Sequence, residues 1–181
     1  MALGATLYHL QIDLSDVDRS VYEALDLRVA RHPSENMRYL LTRVIAYCLC
    51  FEEGIAFSKG LSTTEEPALW IRDPQSNLRV WIEIGTPSAE RLHKASKAVP
   101  RLVVFTQNDP VQLQKEAARS KAIHRAEEIE IYALAPAFLD ALAEITDRNN
   151  KWELVHNGGE IYVTVGSNSV TGTVTRHSLV A

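Results

Sequence analysis

Cysteine is scarce: two residues in 181, Cys48 and Cys50. That excludes the disulfide framework of a small secreted module, and their spacing inside a helical pattern makes their side chains diverge, so they read as core thiols. Eight glycines and seven prolines, scattered along the chain, exclude collagen-like and low-complexity sequence. No apolar run approaches the ~20 residues of a membrane helix. The longest is Val44-Ile45-Ala46-Tyr47-Cys48-Leu49-Cys50-Phe51. No basic segment precedes an apolar one at the start, so a cytoplasmic protein with no membrane partner is expected. Positive charge is not in excess either. Nineteen Lys and Arg stand against 23 Asp and Glu, a net charge of −4, so any nucleic-acid contact must use a local patch. The sequence also lacks a Gly-rich phosphate loop, a dinucleotide fingerprint, a Gly-x-Ser-x-Gly elbow, a His-Glu-x-x-His helix and a Cys-x-x-Cys pair. Its six histidines show no zinc-ligand spacing.

What is present is 46% hydrophobic residues in clear periods, enough for one domain spanning residues 1–181. Tyr8, Leu10, Ile12 and Leu14 alternate with polar residues, as do Leu25, Leu27 and Val29, which predicts two N-terminal strands. Pro33-Ser34-Glu35 reads as a helix start, with Ser34 as cap and Glu35 at the positive end of a helix of about 17 residues. Along it Met37, Leu40, Leu41, Val44, Ile45, Cys48 and Leu49 form an apolar stripe from which Arg38 and Arg43 fall away. Short strands at 55–57 and 68–71, a longer one at 78–84, a helix opening at Thr86-Pro87-Ser88, and the continuous apolar run Leu102-Val103-Val104-Phe105 follow. A polar helix from about 110 to 125, a strand at 129–134 and a helix at 136–145 continue the alternation. Strand, helix and strand in succession over 78–134 predict a parallel element in an α/β mixed sheet. Asn157-Gly158 between two apolar alternations predicts a C-terminal hairpin.

Chemistry rests on carboxylates at element edges. Glu83 lies in Trp81-Ile82-Glu83-Ile84-Gly85, opposite the apolar face of its strand, and reads either as an exposed strand residue or as an acid aimed at a site. In Glu65-Glu66-Pro67, Pro67 holds Glu66 extended at a strand entrance, in what is equally an acidic surface loop. Lys94 shares a helix stripe with Arg91 and stands four residues from Glu90, the spacing of an ordinary surface pair. Arg28, Arg31, His32, Arg38 and Arg43 make the best local phosphate-binding patch, which solvated surface explains almost as well.

Taken together, Met1-Ala2-Leu3-Gly4-Ala5-Thr6-Leu7-Tyr8, Ala30-Arg31-His32-Pro33-Ser34-Glu35, Phe57-Ser58-Lys59-Gly60-Leu61, Glu65-Glu66-Pro67-Ala68-Leu69-Trp70 and Trp81-Ile82-Glu83-Ile84-Gly85 followed by Lys94-Ala95 resemble the YaeQ family of bacterial proteins. The resemblance covers nearly the whole chain. It implies a variant of the PD-(D/E)XK restriction-endonuclease-like fold, with helices on the faces of a mixed sheet, N-terminal strands and a C-terminal β-hairpin added. It further implies an Mg²⁺- or Mn²⁺-dependent nuclease in which Glu66, or its neighbour Glu65, and Glu83 hold metal, Glu35 assists from the first core helix, and a lysine completes the set. The usual lysine position is Gly85 here, so Lys94 must replace it from the next helix, with Arg91 as a second candidate. Relatives tend to carry an acid where this chain has Ala68. Arg31, Ser34, Arg38 and Arg91 are the expected substrate contacts. The alternative is a catalytically inactive member that binds nucleic acid or protein.

Overall fold

The computed structural model describes residues 4–58, 65–120 and 122–180. The N-terminal alternation becomes strands β1 (Thr6–Asp16) and β2 (Val21–Arg31), paired antiparallel in full register. Helix α1 (Met37–Leu49) follows, then three antiparallel strands, β3 (Ile55–Phe57), β4 (Leu69–Arg72) and β5 (Leu78–Ile84). Helix α2 (Ala89–Ala98) leads to β6 (Arg101–Thr106), and α3 (Pro110–Arg119) to β7 (Glu130–Leu134). Helix α4 (Pro136–Glu144) precedes β8 (Asn149–Asn157), β9 (Glu160–Val165) and β10 (Asn168–Ser178).

Among the described residues the ten strands form one mixed sheet in the order β2-β1-β8-β9-β10-β7-β6-β5-β4-β3. As the strand-helix-strand succession predicts, β5, β6 and β7 run parallel. Helices α1 and α4 cover one face along most of its width, and α2 and α3 cover the other only over β5 to β7. This asymmetry explains the two hydrophobic patterns. Strand β1 buries Leu10, Ile12 and Leu14 on one face and leaves Gln11 and Asp13 exposed, whereas β6 buries Leu102 toward α2 and Val103 toward α1.

Three expectations are corrected. Helix α1 is capped by Asn36, whose side chain accepts from the Tyr39 amide, so it begins after Glu35 and has 13 residues. Ser34 instead lies in a turn in which the Glu35 amide donates to the His32 carbonyl. Helix α3 stops at Arg119, and a left-handed Arg125 leads through a short 3₁₀ turn into β7. The C-terminal hairpin is not an appendage: its turn uses Gly158 and Gly159, both at positive φ, but β8 pairs parallel with β1 and the unforeseen β10 pairs with β7, placing it mid-sheet. Gly172 of β10 lets α4 approach, since a Cβ there would lie 2.3 Å from Phe138 Cγ. Cys48 and Cys50 are buried free thiols, both pushed up to about 12 by burial. No helix among the described residues is long and apolar enough to cross a membrane.

Candidate functional site

Strand β5 carries Trp81 and Glu83 on the face that meets α2. Trp81 Nε1 donates to Glu83 Oε1 at 2.5 Å, and Arg91 Nε from the first turns of α2 donates to the same oxygen at 2.8 Å. Glu83 is thus a buried acid, its side chain 7% exposed, rather than an exposed strand residue. Its Oε2 accepts no hydrogen bond from the described residues. Arg91 Nη2 also donates to the Glu66 carbonyl at 2.7 Å, tying the entrance of β4 to the end of β5, while the guanidinium lies over the Trp81 ring.

A second pair of the same design stands at the start of α1. Arg43 Nη2 donates to Glu35 Oε2 at 2.7 Å and to the Ala30 carbonyl at 2.9 Å, and its guanidinium lies over the Tyr39 ring. Both side chains are buried, so Arg43 belongs to the interior and not to the phosphate-binding surface that its place off the helix stripe suggests. Burial raises the Tyr39 pKa, with Arg43, Glu35, Glu83 and Arg91 all acting on it. The phenol therefore lies within electrostatic reach of both ion pairs.

The remaining expected residues divide. Lys94 pairs with Glu90 at 3.1 Å on the surface and does not meet Glu83, whose cation is Arg91. Lys94 nonetheless lines, with Glu65, Trp81, Arg91 and Ser88, a cavity of about 580 Å³ beside that pair. Arg31 donates to the Glu35 carbonyl, Ser34 hydrogen bonds His32, and Arg38 clamps Asp140 of α4 with two bonds of 2.7 and 2.6 Å. Arg31 and Arg38 therefore hold the fold around the site. Gly85 sits at φ +101°, where a lysine side chain is strained, which explains why the cation comes from α2. Sequence reading missed Trp81 and Tyr39, although Trp81 precedes Glu83 by the two residues that share a strand face.

The model of the YaeQ protein family matches residues 1–174. The chain belongs to the YaeQ family. Its similarity to the uncharacterized YaeQ protein of Salmonella typhi is 29% identity over 171 residues, 94% of each chain, and to that of Escherichia coli strain K12 28% over the same coverage. Two solved structures agree in fold. The crystal structure of YaeQ protein from Xanthomonas axonopodis pv. citri matches with a TM-score of 0.87 at 28% identity, over 96% of this chain and 98% of that one. The YaeQ protein from Pseudomonas syringae matches with a TM-score of 0.85 at 29% identity, over 96% of each. This YaeQ-family fold is a mixed α/β sheet with helices on both faces.

Proposed function

We propose that this YaeQ-family chain is a cytoplasmic, divalent-cation-dependent phosphodiesterase acting on nucleic acid, built on a PD-(D/E)XK-like core. The run α1-β3-β4-β5-α2-β6 supports the core, being the helix-flanked mixed sheet which that resemblance implies. The observation that carries the reading is Arg91, which joins the Glu83 carboxylate to the backbone of Glu66 at the wall of the cavity.

Among the described residues no three acids or histidines cluster as a ready metal cage. Mg²⁺ does not require one, because it takes a few carboxylate oxygens and completes its shell with water and phosphate. Glu83, whose Oε2 accepts no hydrogen bond from the described residues, and Glu66, or its neighbour Glu65 that lines the cavity, are the ligands in this reading, and their hard oxygens suit Mg²⁺ or Mn²⁺. Bound there, the cation supplies Lewis-acid stabilisation and a more acidic water. Arg91 neutralises Glu83 in the resting protein and turns toward the phosphate charge that develops during hydrolysis. Lys94, exposed at the rim, contacts the flanking backbone phosphate, and Glu35, fixed by Arg43, serves as an outer ligand or orients one.

The test is cleavage of labelled single- and double-stranded DNA and RNA with Mg²⁺, Mn²⁺ or EDTA. Metal-dependent cleavage falling at least 100-fold in Glu83→Ala and Arg91→Ala supports the reading; cleavage by Glu83→Ala at the wild-type rate overturns it. A second reading is favoured by Ala68 and by the charge that Arg91 already places on Glu83: a metal-independent nucleic-acid binding module. It predicts binding that EDTA leaves unaltered and that falls with salt.

A further inference from the structure

A second cavity lies at the C-terminal end of α1, where Leu49 and Cys50 line it. Its volume is about 320 Å³. Strand register sets its walls: Asp16 is opposite His156, Arg176 is opposite Tyr132, and Tyr132 is opposite Phe105, so one sheet face presents them all to the end of α1.

Charge within it is unevenly spent. Arg19 is wholly committed, with Nε on Asp16 at 2.8 Å and its two terminal nitrogens on the Phe51 and Cys48 carbonyls that end α1. Arg101 holds Glu130 through Nε and Nη2 at 2.6 and 3.0 Å. That leaves Arg176 in surplus: it is 3.9 Å from Glu130, makes no hydrogen bond among the described residues, and its side chain is 68% exposed. At the opposite end buried Asp16 fixes His156 through Nδ1 at 3.0 Å, while Nε2 lies 3.6 Å from Asp18, too far for a direct hydrogen bond. Between the two ends stand the stacked rings of Phe105 and Tyr132, 5.1 Å apart.

We infer that this cavity binds a small aryl anion carrying a second polar group, with the anion on Arg176, the ring on the apolar wall, and the polar group at His156 Nε2 and Asp18. Arginine pairing orients a carboxylate or phosphate, and an oriented imidazole recognises a hydroxyl at the far end. This cavity shares no lining residue with the one beside the Glu83–Arg91 pair.

The test is titration of the full chain, followed by NMR and calorimetry, with 4-hydroxybenzoate, 4-hydroxyphenyl phosphate and inorganic phosphate. One aryl anion binds saturably in the millimolar range or tighter and shifts the His156 ring signals. Arg176→Gln weakens it at least tenfold with an unchanged unfolding midpoint, His156→Asn weakens it independently, and Glu83→Gln leaves it intact. The arms tell a carboxylate site from a phosphate site. No saturation by either aryl anion at 10 mM, binding unaltered by Arg176→Gln, or equal binding of inorganic phosphate overturns the inference.

Discussion

Arg91 donates from Nε to Glu83 Oε1 at 2.8 Å across the turn that carries the chain from β5 into α2. The carboxylate is almost fully buried while the guanidinium is about a quarter exposed, so the two partners are not equivalent. Removing Arg91 strands a buried charge; removing the charge of Glu83 leaves a cation that can reach water. Arg91→Ala is expected to lower unfolding free energy by roughly 3 kcal/mol and Glu83→Gln by about 1 kcal/mol, read from urea denaturation at pH 7.

The Glu35–Arg43 pair is buried on both sides, and its loss is more symmetrical. Arg43→Met leaves Glu35 charged without a partner and is expected to destabilise by roughly 3–5 kcal/mol. The double variant Glu35→Gln, Arg43→Met recovers part of that loss. A double-mutant cycle giving no coupling between the two positions contradicts this.

Gly172 is the point where α4 meets the sheet. Gly172→Ala places a methyl group against the Phe138 ring, and the resulting shift is expected to destabilise by about 1–3 kcal/mol. Gly172→Ala combined with Phe138→Leu should be less destabilised than the sum of the two single changes, measured by thermal unfolding.

That glycine also shows where sequence reading reached its limit. The alternations in β1 and β2 and the doubly buried run of β6 were legible because each strand announces its own burial through local period. Strand β10 was not: its inward positions are Val170, Gly172 and Val174, of which one is a glycine filled by Phe138, and Val174 lines the second cavity together with the exposed Arg176. The parallel pairing of β1 with β8, from His9–Asn149 to Asp16–His156, joins segments 140 residues apart and leaves no local signal. At the site, the family motifs named Glu83, Glu66 and Glu35, but Lys94 was taken before Arg91 as the cation, because both share one helix stripe and only the packing of α2 on β5 shows which of them reaches Glu83. Arg43 was misread because a guanidinium inside a helix pattern looks solvated until its buried partner, contributed by the loop before the helix, is seen.

Arg38 and Asp140 connect α1 to α4, and the side-chain hydrogen bond from Arg38 holds the Asp140 carboxyl below its ordinary value of 3.8. Because the folded value lies below the unfolded one, the contribution is complete above about pH 5 and is lost as pH falls through the folded pKa, below 3.8. The unfolding midpoint should therefore decline in that acid window, and Asp140→Asn should decline less there while starting lower at pH 7. Identical slopes for the two proteins below pH 4 contradict the assignment.

In the proposed function Glu83, held by Arg91 beside the Glu66 backbone, is a cation ligand as well as a structural acid. Calorimetric titration of Mn²⁺ and Mg²⁺ into the wild-type protein and Glu83→Gln, both checked for native circular dichroism, tests it without any knowledge of substrate. Saturable binding near one ion per chain in the wild type and at least a tenfold loss of affinity in Glu83→Gln are expected; equal binding, or none, in both folded proteins removes Glu83 as a ligand.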